Sequence, residues 1–325
     1  MAGIYNAVGV RPVVVKYTNL LLVALTAGLI PVISLRTWRR YGLATGTIAS
    51  LYFVYYLAPD PSELLGEPLI MFLLACWGIL FAYAERRISV TRIVVLGVWT
   101  AVLILVKSYA LLVFLTAAFI VLRHQSRRTG LALGALYISI VAGLILPWSI
   151  YATLHSDRVV IISTQFDNLV MDGNNEDAIA TGKWSPAWRK QNKGDPKYIY
   201  NRLSDRDLTA IEKVGRFYYD NWGQLPGFFI RKIQASIGKE AGVTWIMWIF
   251  ITFYLIGLGN NYRMRRTGKP GNIQLPGFPV FCFVIWFTNT VIAFGLPRYT
   301  AIFVPFMLIS VVHAPLELWK LRHRN

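Results

Sequence analysis

Acidic residues are scarce in this chain of 325 residues, sixteen against 33 basic ones, and eleven of the sixteen lie between residues 150 and 240. Cysteine is nearly absent: Cys76 and Cys282 both fall in apolar runs, so there is no disulfide framework of the kind that staples small secreted domains. No Asn-x-Ser/Thr sequon occurs, which leaves N-glycosylation without an acceptor. The stretch from Met1 to Val10 also lacks the basic region and apolar core of a cleavable signal.

The excess of positive charge, +17 overall, does not mark a nucleic-acid partner. Outside the polar interval the basic residues come in short clusters: Arg36, Arg39 and Arg40; Arg86, Arg87 and Arg92; Arg123, Arg127 and Arg128; Arg263, Arg265, Arg266 and Lys269; Lys320, Arg322 and Arg324. Each cluster sits at the end of an apolar run, where Lys and Arg are topology signals retained on the cytoplasmic side.

What the chain has in abundance is apolar sequence, 55% of residues with a mean hydropathy of +0.48. The apolar segments run over 18–35, 41–58, 67–84, 92–106, 108–122, 130–149, 242–259, 277–294 and 297–316. Backbone groups in hydrocarbon must pair within their own segment, so each is expected to be a helix. The expected fold is therefore an all-α polytopic membrane protein of about nine transmembrane helices, with a small mixed extracytoplasmic cap. The expected domains are a transmembrane bundle at 1–149, the cap at 150–241 and a second transmembrane bundle at 242–325.

With the basic clusters on the cytoplasmic side, the N-terminus and the 150–240 loop lie outside and the C-terminus inside. All but Glu85 and Glu317 of the acidic residues then fall outside too. The run from Arg92 to Arg123 must cross twice, and each half has only about fifteen residues, about 22 Å of helix against a hydrocarbon core of roughly 30 Å. The tip of that hairpin, at Lys107, is expected to be sunk below the outer surface.

Within the loop, Arg158-Val-Val-Ile-Ile-Ser163 is β-branched and reads as a strand or extended segment. Ser204 and Asp207 have capping-box spacing, opening a helix with Leu208, Ile211, Val214 and Phe217 on one face. Pro226 suits a first helical turn. The stripe of Phe229, Ile233 and Ile237 that follows, beside Arg231 and Lys232, reads either as a headgroup-level helix or as one packed on the cap.

Ionisable residues within or beside membrane segments are costly unless paired or wet, which makes Glu67, Lys107 and Arg298 candidates for function. Glu67 also reads as a carboxylate favoured by a helix N-terminus, Lys107 as a snorkelling lysine, and Arg298 as an interfacial anchor with Tyr299. Together they describe two cations and an acid at the depth of lipid phosphates. A phosphate-bearing lipid is the ligand that such a group predicts.

The run Leu146-Pro147-Trp148-Ser149-Ile150, followed by Val159 to Thr164 and by Asp172-Gly173-Asn174-Asn175, resembles the polytopic GT-C glycosyltransferases. The branch is that of the dolichyl-phosphate-mannose protein mannosyltransferases and the bacterial enzymes that modify lipid A and cell-surface glycans. Three more stretches are similar in the same order: Ser62 to Leu69 with its Glu-Pro-Leu, Val102 to Lys107, and Pro297-Arg298-Tyr299.

The resemblance implies a membrane glycosyltransferase with a polyprenyl-phosphate sugar as donor and a glycan, lipid or protein acceptor at the outer face, in a bacterial plasma membrane. It implies that Lys107 and Arg298 bind the lipid phosphate, that Trp148, Gly173, Asn174, Asn175 and Tyr299 shape the substrate site, and that Glu67 orients a cation or a sugar hydroxyl. No metal ligand is assigned, and no cofactor beyond the donor.

In the family the base is an Asp in a first outer loop preceded by a helix, and the chain is expected to lack both. Glu67 and Asp172, with Asp167 beside it, are the carboxylates left for that role, unless another polypeptide supplies the loop. A subunit without catalysis that binds polyprenyl lipid or scaffolds a glycan-assembly complex is the competing expectation. A secondary transporter is disfavoured, because no internal repeat occurs and the unusual polar groups gather at one face.

Overall fold

The computed structural model describes residues 12–38, 41–57, 66–107, 111–124, 126–156, 159–160, 162, 166–183, 185, 208–237, 241–266, 275, 277–292 and 297–322. Among these the chain is all helix, with no strand. The helices are α1 (Pro12–Thr37), α2 (Gly42–Tyr52, continued by a π turn at Phe53–Leu57), α3 (Glu67–Arg86), α4 (Val90–Val106), α5 (Leu111–Arg123) and α6 (Arg127–Leu154). Then follow α7 (Phe166–Gly173), α8 (Glu176–Thr181), α9 (Ala210–Asp220), α10 (Leu225–Ile237), α11 (Ala241–Arg266), α12 (Gly277–Ile292) and α13 (Pro297–Arg322).

Every apolar segment of the sequence falls on one of these helices. Four spans are long and apolar enough to cross a membrane: Val13–Thr37, Glu67–Arg86, Arg127–Leu154 and Ile302–Trp319. Among the described residues the chain is thus all-α, with helices suited to crossing a membrane.

The chain divides into two compact units, one of residues 1–162, 242–283 and 301–325, the other of residues 163–241 and 284–300. The sequence placed the start of the cap at residue 150, but α6 runs through Pro147 to Leu154 before it ends. The expected mixed cap contributes only helices among the described residues. Val160 of the β-branched run donates its N–H to the Thr153 hydroxyl at 2.9 Å and is not part of a strand.

In the first unit α3 is an inner helix, as is the Ile302–Trp319 span of α13: 67% of the apolar window of each is buried, against 33% for α6. The core is aromatic, with Trp77 stacked on Phe81 at 5.0 Å and Gly78 lying flat beneath the Phe278 ring, where a Cβ would approach to 2.5 Å. At the junction of α1 and α2, Gly42 and Gly46 form a Gly-xxx-Gly face. A Cβ on Gly46 would meet the Pro31 Cα at 2.6 Å, so the two backbones touch without intervening side chains.

Hydrogen bonds fix the register of α3 to α6. Trp77 Nε1 donates to Thr100 Oγ1 at 2.8 Å and Trp99 Nε1 to the Leu73 carbonyl at 2.9 Å, and the short connection from Arg86 to Val90 makes α3 and α4 antiparallel. Followed outward, that register sets Glu67 level with residues 105–110. Tyr137 of α6 bonds both Thr100 of α4, at 3.0 Å, and Thr116 of α5. The two threonines thus meet at one tyrosine, with α4 ending at Val106 and α5 starting at Leu111, so the two helices run in opposite directions. Gly130 and Gly134 of α6 lie against Val121 of α5, so α6 reverses direction again.

The second unit has its own core of Val170, Ala178, Ile179, Val214, Phe217, Leu225 and Phe228. Helix α9 opens not at Ser204, which lies outside the described residues, but at Thr209. The Thr209 hydroxyl accepts from the Glu212 N–H while the Glu212 carboxylate accepts from the Thr209 N–H at 2.8 Å, a complete capping box. Val214 and Phe217 are buried as expected, but Ile211 is exposed.

Helix α8 ends at Gly182, whose φ of +69° is the left-handed conformation that glycine adopts without penalty. The same residue abuts α10, where a Cβ would lie 2.5 Å from the Lys232 nitrogen. Gly182→Ala should therefore destabilise the second unit by about 2 kcal/mol, combining left-handed strain with a backbone clash. Hydrogen exchange should report it as lost protection in α8 and α10, with α3 to α6 unchanged.

Candidate functional site

Glu67, Lys107 and Trp148 belong to one end of the α3–α6 group. Glu67 is the first residue of α3, buried, with Pro68 beside it in the first turn. Lys107 ends α4 in an extended conformation, its N–H donated to the Leu103 carbonyl at 2.9 Å, and its side chain is half-buried. Trp148 lies on α6, about 16 Å of helix beyond Tyr137 and towards the same end. It is 46% exposed, with Nε1 donating to the Ile162 carbonyl at 2.8 Å. Helix direction alone brings the acid, the lysine and the indole to the same end of the group.

Arg298 and Tyr299 lie in the first turn of α13, and their side chains are outside the described residues, as is that of Asp167.

Asp172, Gly173, Asn174 and Asn175 form the turn between α7 and α8 in the second unit, and all four are buried. The Asn175 side chain caps α8 by accepting from the N–H groups of Asp177 and Ala178 at 3.1 and 2.9 Å. Its amide donates to the carbonyls of Met171, Asp172 and Ser185. Asn174 donates to the Val170 carbonyl at 2.6 Å, and its Oδ1 accepts from the Tyr218 hydroxyl at 2.7 Å and from Lys232 Nζ at 2.6 Å. The two asparagines are thus the polar centre of this unit, their hydrogen-bonding capacity engaged in holding the turn.

Lys232 was not singled out by the sequence, which grouped it with the polar flank of the Phe229, Ile233 and Ile237 stripe. In the structure the buried face of α10 is Leu225, Phe228, Lys232 and Ser236, and Lys232 has no exposed surface. Of the two readings of α10, the structure supports packing within the cap. Besides Asn174, the ammonium donates to the Val291 carbonyl at 2.8 Å and lies 4.6 Å over the Phe228 ring. Val291 is in the last turn of α12, where carbonyls lack helical partners and the dipole favours a cation.

One turn along, Ser236 and Thr290 share a hydrogen bond at 3.1 Å, and Trp286 Nε1 donates to Ser236 at 3.1 Å. The i, i+4 spacing of Phe228, Lys232 and Ser236 was the available signal for this face. It was hidden because the face carries a charge.

Burial pushes the Lys232 ammonium well below the ordinary lysine range and the Tyr218 phenol up to about 12. Comparison of the chain with models of protein families, with characterised proteins and with solved structures finds no match.

Two predictions follow from the asparagine and the lysine. Asn174→Ala leaves the Tyr218 hydroxyl and Lys232 without their shared acceptor, and should destabilise the second unit by about 3 kcal/mol in chemical denaturation. Because the Lys232 pKa is lowered on folding, the unfolded chain binds more protons between the folded pKa and the ordinary lysine value. Stability should therefore rise with pH across that window, and Lys232→Met should flatten the rise.

Proposed function

We propose that this protein is a membrane glycosyltransferase that takes a sugar from a polyprenyl-phosphate donor and passes it to a glycan, lipid or protein acceptor at the outer face. The observation that carries the reading is the shared end of Glu67, Lys107 and Trp148 on the α3–α6 group. An ammonium at a hairpin tip gives a lipid phosphate a counter-charge while the polyprenyl tail stays among apolar helices. A carboxylate and an indole at the same end suit the hydroxyls and the apolar face of a sugar.

In this reading the chain crosses the membrane about nine times in a bacterial plasma membrane, with the 150–240 loop outside and the C-terminus in the cytoplasm. Lys107 stabilises the leaving phosphate, and Glu67 orients a sugar hydroxyl or a cation. In the second unit, Arg298 is given the phosphate role and Tyr299 the substrate role that the GT-C resemblance implies. The asparagine turn supports that unit by fixing its backbone instead of offering free amides.

A second reading, a polyprenyl-lipid-binding subunit without transfer activity, is favoured by the burial of both candidate carboxylates, Glu67 at 7% and Asp172 at 1% exposure. An acceptor hydroxyl must reach its base. Purified protein in nanodiscs, given polyprenyl-phosphate sugar and envelope extract, separates the two readings: release of polyprenyl phosphate supports the transferase, and donor retention without release supports the subunit.

Under both readings Lys107→Met should weaken polyprenyl-phosphate binding by about tenfold, the worth of one cation–phosphate contact. Unchanged binding by a folded Lys107→Met variant would contradict both.

A further inference from the structure

The opposite end of the α3–α4 pair carries a second cationic group. Arg36, in the last turn of α1, stacks its guanidinium over the Tyr83 ring at 4.7 Å, and Arg92 of α4 lies 6.0 Å from the same ring. Arg92 Nη1 also donates to the carbonyls of Tyr83 and Arg87, at 2.7 and 2.9 Å. Arg86 donates to the Arg36 carbonyl. Two guanidinium groups, from α1 and α4, are therefore held at one tyrosine, and a third, from α3, is tied to the backbone of the first.

The nearby carboxylate does not neutralise them all. Glu85 accepts from the Gly277 N–H at 3.1 Å, where it faces the first turn of α12, and it also feels the charges of Arg86 and Arg123. Glu317 is bound to His313 at 3.2 Å, and His313 stacks on Trp38. Arg36 Nε is a buried donor with no acceptor among the described residues. Like charges gathered at one tyrosine and one backbone carbonyl, with a donor left over, fit an anion.

The surroundings identify the kind of anion. Arg36 and Arg86 end α1 and α3, two helices long and apolar enough to cross a membrane, so the group stands at the level of lipid headgroups. Val32 and Leu35 of α1 and Val90 and Val94 of α4 lie exposed beside it. Apolar flanks under a cationic tip match an acyl chain beneath a phosphate. We propose that Arg36, Arg86 and Arg92, set around Tyr83, form a binding site for the phosphate of an anionic phospholipid. This site is independent of the Lys107 end and of any transfer activity.

Native mass spectrometry of the full chain in a neutral detergent tests this with phosphatidylglycerol, phosphatidylcholine and inorganic phosphate as probes. Phosphatidylglycerol should be retained in preference to phosphatidylcholine, and R36Q/R92Q should lower that retention about tenfold. R127Q/R128Q, which removes equal charge elsewhere, should leave it unchanged. R36K/R92K keeps the charge and should retain more lipid than R36Q/R92Q, which separates loss of the site from loss of fold.

Equal retention by wild type and R36Q/R92Q would overturn the site. So would an equal loss in R127Q/R128Q, which would reduce the effect to bulk charge. Displacement of the lipid by millimolar inorganic phosphate would overturn the lipid assignment in favour of a soluble phosphate.

Discussion

The second unit depends on a lysine with no exposed surface. An ammonium taken fully out of solvent is costly, and Lys232 is tolerated because an asparagine oxygen, a helix-terminal carbonyl and an aromatic face replace its hydration. Each of those partners belongs to a different segment: Asn174 to the α7–α8 turn, Val291 to the end of α12, and Phe228 to α10 itself. Pairing one charge properly therefore fixes three pieces of backbone at once. The Asn174 oxygen adds a fourth by accepting from Tyr218 of α9.

The first unit is held in another way. Aromatic packing around Trp77 and Phe81, glycine contacts between α1 and α2, and hydroxyl bridges centred on Tyr137 set helix against helix with few charges inside. In α3 to α6 the charged groups are sorted to the two ends. One carries Glu67 and Lys107, the other the arginines around Tyr83. Such sorting follows from the cost of charge in hydrocarbon.

Much of this was legible in the sequence. Apolar run length gave the helices, and the stretch from Arg92 to Arg123, for which the charge arithmetic required two segments, is two helices, α4 and α5. Pro226 marked the start of α10 correctly. What stayed hidden were features that depend on a partner far along the chain. Lys232 reads as a surface charge until Asn174 and Val291 are seen beside it, and the Gly42-xxx-Gly46 contact needs Pro31 on the facing helix. Of the β-branched run at 158–163, Val159, Val160 and Ile162 are not in a strand, because strand propensity needs a second strand and none is present among the described residues.

The central claim is that the Lys107 end of the α3–α6 group receives a polyprenyl phosphate. A photoreactive polyprenyl monophosphate, crosslinked to the native protein in nanodiscs and mapped by peptide sequencing, tests it most directly. The account predicts labelling within a turn of Glu67, Lys107 or Trp148, suppressed by unlabelled polyprenyl phosphate and reduced in Lys107→Met. Labelling confined to the Arg36–Arg92 end, or labelling that unlabelled lipid does not suppress, would contradict it.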